Sequence, residues 1–253
     1  MMVQMEPVVV LIVFAVFLGA VSQRVTGMGF GLVSGPFLVL LLDPFSGVVL
    51  VNICGIVASG TVFARTWREA EWGSFWKLSL GALIGTIPGA LLAAALPAPS
   101  LQILIGLLII VSLISSMVIG RIGKTMPANF GTKLTTGFLS GTMSAAAGAG
   151  GPAVSAYAVL TKWDQRTFAA TLQPFLVVGT TSAIVFKAVF DHGAWPQLAA
   201  PAWIGIAAVL VAGLVGGDWM SKKIDSSTAR VVMIVLALGG GIATLVKGLI
   251  HLG

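Results

Sequence analysis

Charge is what this chain has least of. Only 9% of its 253 residues are charged, against 57% hydrophobic, whereas a soluble domain carries about a quarter charged residues. The mean hydropathy is +1.05, and several stretches approach the roughly 20 apolar residues that cross a bilayer core. A soluble globular domain is thereby excluded, and the chain reads as an all-α polytopic membrane protein. Cys54 is the single cysteine, which rules out an intrachain disulfide and a multi-cysteine metal site. The two histidines, His192 and His251, are too few for a paired haem or a metal cluster of the usual kind. The acids gather at loops, which argues against a catalytic carboxylate pair or a carboxylate proton relay. H-E-x-x-H, G-x-S-x-G and the phosphate-binding P-loop are all missing. No enzyme and no cofactor is expected.

The net charge of +6 would suggest nucleic acid in a soluble protein. Here it fits Lys and Arg collecting in cytoplasmic loops, with the lipid bilayer as the partner and no nucleic acid. Met1–Pro7 has no basic n-region, so no cleavable signal peptide is expected, and no separate soluble domain is read.

Glycine is abundant, and its placement organises the chain. Val8–Val21 reads as a first helix that reaches Gln23 and Arg24 before Thr26-Gly27-Met28-Gly29-Phe30-Gly31. The apolar run Leu32–Leu42 follows and stops at Asp43-Pro44. At about 1.5 Å per residue it spans roughly half of a bilayer core, so it pairs with the first helix as a hairpin broken at membrane depth. Ser46–Ala64, Trp76–Leu96 and Leu101–Ile119 are full spans. Trp67, Trp72 and Trp76 flank a charged loop as interface anchors. Gly81, Gly85 and Gly89 recur every fourth residue and let another helix approach closely. A basic linker, 121–133, divides a first repeat, 1–120, from a second, 134–253. Leu134–Ala147 then reaches a second break, Gly148-Ala149-Gly150-Gly151-Pro152, and Ala153–Leu160 is the second short helix. Thr167–Val189, Ala202–Trp219 and Val231–Leu249 are further spans, with Gly205, Gly213 and Gly217 as packing positions.

The halves align over about 40 residues at an offset of 121, and this order of matched features points to an internal duplication. Gly27 meets Gly148, Gly29 meets Gly150, Ser34 meets Ser155, Asp43 meets Asp164, Asn52 meets Gln173 and Ser59 meets Thr180. Equivalent loops carry opposite charge bias, which by the positive-inside rule inverts one half relative to the other. The loops at 65–77, 121–133, 161–166 and 218–230 hold 11 of the 14 Lys and Arg and are placed in the cytoplasm. Both termini then fall on the periplasmic or extracellular side. Arg24, Lys187 and Lys247 are the exceptions.

Broken backbone at membrane depth is tolerated where it lines a cavity or is buried in protein. If the two breaks face one another, both short helices aim their free N–H groups and positive dipole ends inward, which suits an anion. Paired broken helices in two halves are a pointer to a transport site. Gly27, Gly29, Gly31, Gly148, Gly150 and Gly151 are the candidate positions, with helix packing as the alternative. Asn52 and Gln173 are either interhelical glue or donors to a substrate oxygen. Ser34, Ser155, Ser144, Ser59 and Thr180 are weaker candidates, because hydroxyls bond back to their own helices. Arg24 stands beside the first break, as a site cation or snorkelling to the surface. Lys187 reads as an interface residue, and Cys54 as a small hydrophobe or a reactive thiol.

The segment from Val25 to Pro36, with its echo from Ala147 to Pro152, resembles the two glycine motifs of the sulfite exporter TauE/SafE family of bacterial membrane permeases. The resemblance extends to the chain's length, its two similar halves and its basic linker. It implies movement of sulfite or a small organosulfonate such as sulfoacetate across the cytoplasmic membrane, with the substrate near Gly27, Gly29, Gly148 and Gly150. The reading is a secondary transporter of a small oxyanion working by alternating access. A passive anion channel and a non-transporting membrane subunit are the alternatives. The anion itself, the direction, the coupling ion (proton or sodium) and homo-oligomerisation stay open.

Overall fold

The computed structural model describes residues 5–27, 29–122, 125–190, 195–223 and 226–252. Met28, Asp191 and His192 lie outside the described residues, as do parts of the loops at 121–133 and 218–230. Ten α-helices follow one another among the described residues: α1 (Met5–Thr26), α2 (Gly29–Leu41), α3 (Pro44–Thr66), α4 (Trp72–Ala95), α5 (Ala98–Ile122), α6 (Phe130–Ala147), α7 (Gly151–Thr161), α8 (Gln165–Phe190), α9 (Ala200–Met220) and α10 (Ser226–Ile250). No strand occurs among the described residues. Seven of the helices, all but α2, α6 and α7, are long and apolar enough to cross a membrane.

Short polar signals set the boundaries. Asp43 caps α3 by accepting from the Ser46 N–H at 3.0 Å, and Asp164 accepts from the Thr167 N–H at 2.9 Å at the start of α8. The two acids that stop the short helices therefore begin the long ones, each satisfying one of the unpaired donors of a helix N-terminus. The breaks are matched as well. Gly27 has φ +82 and Gly148 φ +69, a left-handed conformation that glycine adopts without a steric penalty. The Gly27 N–H donates to the Gln23 carbonyl at 2.8 Å and the Gly148 N–H to the Ser144 carbonyl at 2.9 Å. Both are helix ends closed by a left-handed glycine, at corresponding positions of the two halves.

Small residues let the helices close up. A methyl group on Gly81, Gly85 or Gly89 of α4 would collide with backbone carbonyls of α6 at Leu134, Phe138 and Thr142. Gly137 and Gly141 of α6 are equally crowded by Leu78 and Ala82 of α4. Gly213 and Gly217 of α9 press on α1, with Ala20 Cβ and Arg24 Cβ at 2.7 and 2.6 Å from the places of their missing methyls. Such close approach drives helix association where lipid removes the hydrophobic drive between helices.

The two broken hairpins open at opposite ends of α4. At the far end of α2, Leu40 accepts from Lys247 Nζ of α10 at 2.9 Å, and the end of α10 abuts the start of α5, with Gly248 against the Pro99 carbonyl. At the far end of α7, the Leu160 carbonyl accepts from the Met126 N–H at 2.9 Å. There Lys133 at the start of α6 donates to Ser74 Oγ at the start of α4, at 2.7 Å. Trp67, Trp72 and Trp76 are exposed around this second end, as interface residues are. Lys187, expected at the interface, is packed inside the protein in the last turn of α8. It is 1% exposed, and its ammonium lies 4.0 Å from the Phe45 ring centroid. The start of α3 folds an aromatic face over the end of α8, and a cation is attracted to that face.

Candidate functional site

The two breaks meet. Gly31, in the first turn of α2, stands so close to the Gly148 carbonyl oxygen that any side chain would collide with it. On the other side Gly148 faces Val51 of α3, whose Cγ1 lies 2.7 Å from the place of a Cβ. Around this contact is a cavity of about 30 Å³, lined by Gly31, Gly148, Gly150 and Gly151 together with Gln23, Ser59, Ser144 and Thr180. A water needs about 10–15 Å³ on this measure, so the cavity holds a few atoms at most. Its walls are backbone, amides and hydroxyls. No charged side chain lines it among the described residues.

An amide network fixes the first break. Gln23 is 2% exposed. Its Oε1 accepts from the Phe30 N–H at 3.2 Å, which satisfies one of the four donors that α2 leaves unpaired at its start. Its Nε2 donates to the Gly27 carbonyl at 3.1 Å and to Gln173 Oε1 at 3.3 Å, with Ser59 Oγ at 3.5 Å. Gln173 Nε2 donates to the same Gly27 carbonyl at 3.2 Å. The second break receives the equivalent amide, as Asn52 Nδ2 approaches the Ser144 carbonyl at 3.4 Å. Asn52 is fully buried, and its Oδ1 has no partner among the described residues. The pattern is crossed: the amide on α3 serves the break before α7, and the amide on α8 serves the break before α2.

The other predicted residues take different places. Gly27 and Gln173 join the cavity wall through Gln23 rather than lining it. Gly29 sits against Met233 of α10, with Sδ 2.9 Å from the place of a Cβ. Ser34 is buried and donates to the Phe30 carbonyl at 2.6 Å. Ser155 donates to the Gly151 carbonyl at 3.0 Å and faces a neighbouring cavity. Arg24 turns away from the breaks. Its guanidinium pairs with Asp218 of α9, which also binds Arg65 of α3 at 2.9 Å. Cys54 is buried and free.

Gln23 carries no charge and is overshadowed in sequence by Arg24 beside it. The signal was its position four residues before the left-handed glycine, where Ser144 stands in the other half.

No curated protein and no solved structure matches the chain. A family model described as sulfite exporter TauE/SafE matches residues 11–244. That match takes in both breaks, both amides and nearly every helix, and the chain belongs to the sulfite exporter TauE/SafE family of membrane permeases.

Proposed function

We propose that the chain is a secondary transporter that carries a small oxyanion, sulfite or a small organosulfonate, across the cytoplasmic membrane by alternating access. The observation that carries this reading is the contact of Gly31 with Gly148, which brings the starts of two short helices to one cavity. Backbone N–H groups and dipoles at the two helix ends favour negative charge without a charged side chain. The cavity of about 30 Å³ is the closed form of the site, and an organosulfonate requires the breaks to separate. Two inverted repeats, divided by the basic linker, supply the geometry for that separation. The hairpins that open at opposite ends of α4 and the crossed amides support this arrangement. The linker lies on the cytoplasmic side and both termini on the other.

The test is sulfite flux in proteoliposomes. Gly27→Leu and Gly148→Leu replace the left-handed glycines that end the two broken helices, and Gly148→Leu also fills the cavity. Both are expected to abolish flux while the protein stays folded, and unchanged flux in both would sink the site. Exchange of internal for external anion is expected of a carrier. Its absence, with flux far above a carrier's rate, would mark a channel instead.

A further inference from the structure

Beside the break cavity lies a larger one of about 290 Å³, walled by α5, α7 and α10. Leu32 and Pro152 line both cavities. Leu32 belongs to the first turn of α2 and Pro152 to the first turn of α7, so these two side chains form a septum between the larger cavity and the paired helix ends. Met233 closes the corner, its Sδ receiving the Thr26 hydroxyl at 3.4 Å. On the other side the larger cavity opens toward the start of α10, where Arg230 is exposed on its wall. No acid lines it among the described residues. Ser112, Ser116 and Ser155 also line it, and each donates its proton to a carbonyl of its own helix, at 2.8, 2.8 and 3.0 Å. The hydroxyls of Ser112 and Ser116, used in this way, offer lone pairs to the cavity, which do not hold an anion. Among the described residues Arg230 is the charged group on its wall, so the attraction for an anion sits at the mouth of the cavity.

We propose that this cavity is the access site for the anion on the Lys- and Arg-rich face. Arg230 is its collecting residue, and Leu32 and Pro152 are the septum that the anion crosses to reach the breaks. The inference rests on the transport reading above and adds the route. A charge at the mouth of a low-dielectric cavity concentrates the opposite ion, and salt screens the effect.

Thiol labelling tests the route in a Cys54→Ala background. Proteoliposomes carrying Ser112→Cys or Ser116→Cys are treated with a charged thiol reagent and washed, and sulfite flux is then measured. Both are expected to lose flux. Ile114→Cys, on the same helix but off the cavity and 52% exposed, is expected to keep it. Arg230→Gln is expected to raise KM about tenfold at low ionic strength with the maximal rate unchanged, the difference closing at high salt. Flux that survives complete labelling of Ser116→Cys overturns the route. So does labelling only by an uncharged, membrane-permeant reagent, because the cavity would then face lipid. If Gly148→Leu abolishes flux in the same vesicles while these results hold, the route alone fails. If the unlabelled parent carries no anion, the transport reading fails and takes the route with it.

Discussion

Gln23 Nε2 donates to Gln173 Oε1 at 3.3 Å, and both amide nitrogens also reach the Gly27 carbonyl. One side chain from α1 and one from α8 thus hold the end of the first hairpin's broken helix. The bond joins the two halves of the chain at the place where one of them is interrupted.

Removing one amide strands the other's partners. Gln23→Leu leaves the Phe30 N–H and Gln173 Oε1 without the bonds they now make. A buried polar group left unsatisfied costs about 1–3 kcal/mol. Gln173→Leu is expected to cost a similar amount, and the double variant less than the two together, with a coupling of about 0.5–3 kcal/mol. Unfolding of the four proteins of this cycle in one detergent measures it. Strict additivity would mean that the amides act independently and that the clamp does not exist.

Gly31 permits no side chain, since a Cβ there meets the Gly148 carbonyl oxygen, whereas Gly60 and Gly179 have nothing within 4 Å. Gly31→Ala is therefore expected to push the breaks apart and to abolish flux. Gly60→Ala is expected to keep flux and to gain up to about 1 kcal/mol of stability, because alanine favours a helix interior. Flux assays and melting curves on the two variants separate contact at the site from general helix packing. Normal flux in Gly31→Ala would remove the contact from the mechanism.

Most of the helix pattern was legible because each signal is local. Long apolar runs end at Asp43-Pro44 and Lys162-Trp163-Asp164, and the acids there cap the next helices. The breaks were legible because glycine before a short apolar run recurs at one offset. What escaped depends on distant partners. Arg24 finds Asp218 at a separation of 194 residues, and nothing in sequence gives the register of α1 against α9. Gln23 is not legible in sequence, because an uncharged amide inside an apolar helix has no meaning until its acceptors are placed. The buried Lys187 needed the position of Phe45, on another helix.

The Arg24–Asp218 pair decides what Arg24 is for. Both side chains are partly buried, at 25% and 29% exposed, and Arg65 shares the carboxylate. Arg24→Gln and Asp218→Asn are each expected to lower stability and flux together, as loss of a tie between α1 and α9. The exchange Arg24→Asp with Asp218→Arg is expected to recover a large part of both. Recovery of stability without flux would show that the guanidinium meets the anion directly, at some stage when the pair is open.

The charge of the site sets the charge of its cargo. Each helix N-terminus is equivalent to roughly half a positive charge, so the pair compensates about one negative charge. No lysine or arginine lines the break cavity among the described residues, and a second negative charge would lie buried without a partner, which is costly. On the transport reading proposed above, the monoanion is therefore the expected cargo. Sulfite exchanges its last proton near neutral pH, so its flux at fixed total concentration is expected to rise as pH falls from mildly alkaline to mildly acidic. Methanesulfonate, a monoanion throughout, is expected to compete equally well across that range. Sulfate and sulfoacetate, both dianions, are expected to compete poorly. Hydrogen sulfite would then carry its own proton through the membrane, and proton movement coupled to sulfur flux would need no titrating side chain at the breaks. Sulfite flux that rises with pH, or strong competition by sulfate, would mean that a cation joins the site during transport, and Arg24 and Arg230 would be the first residues to test.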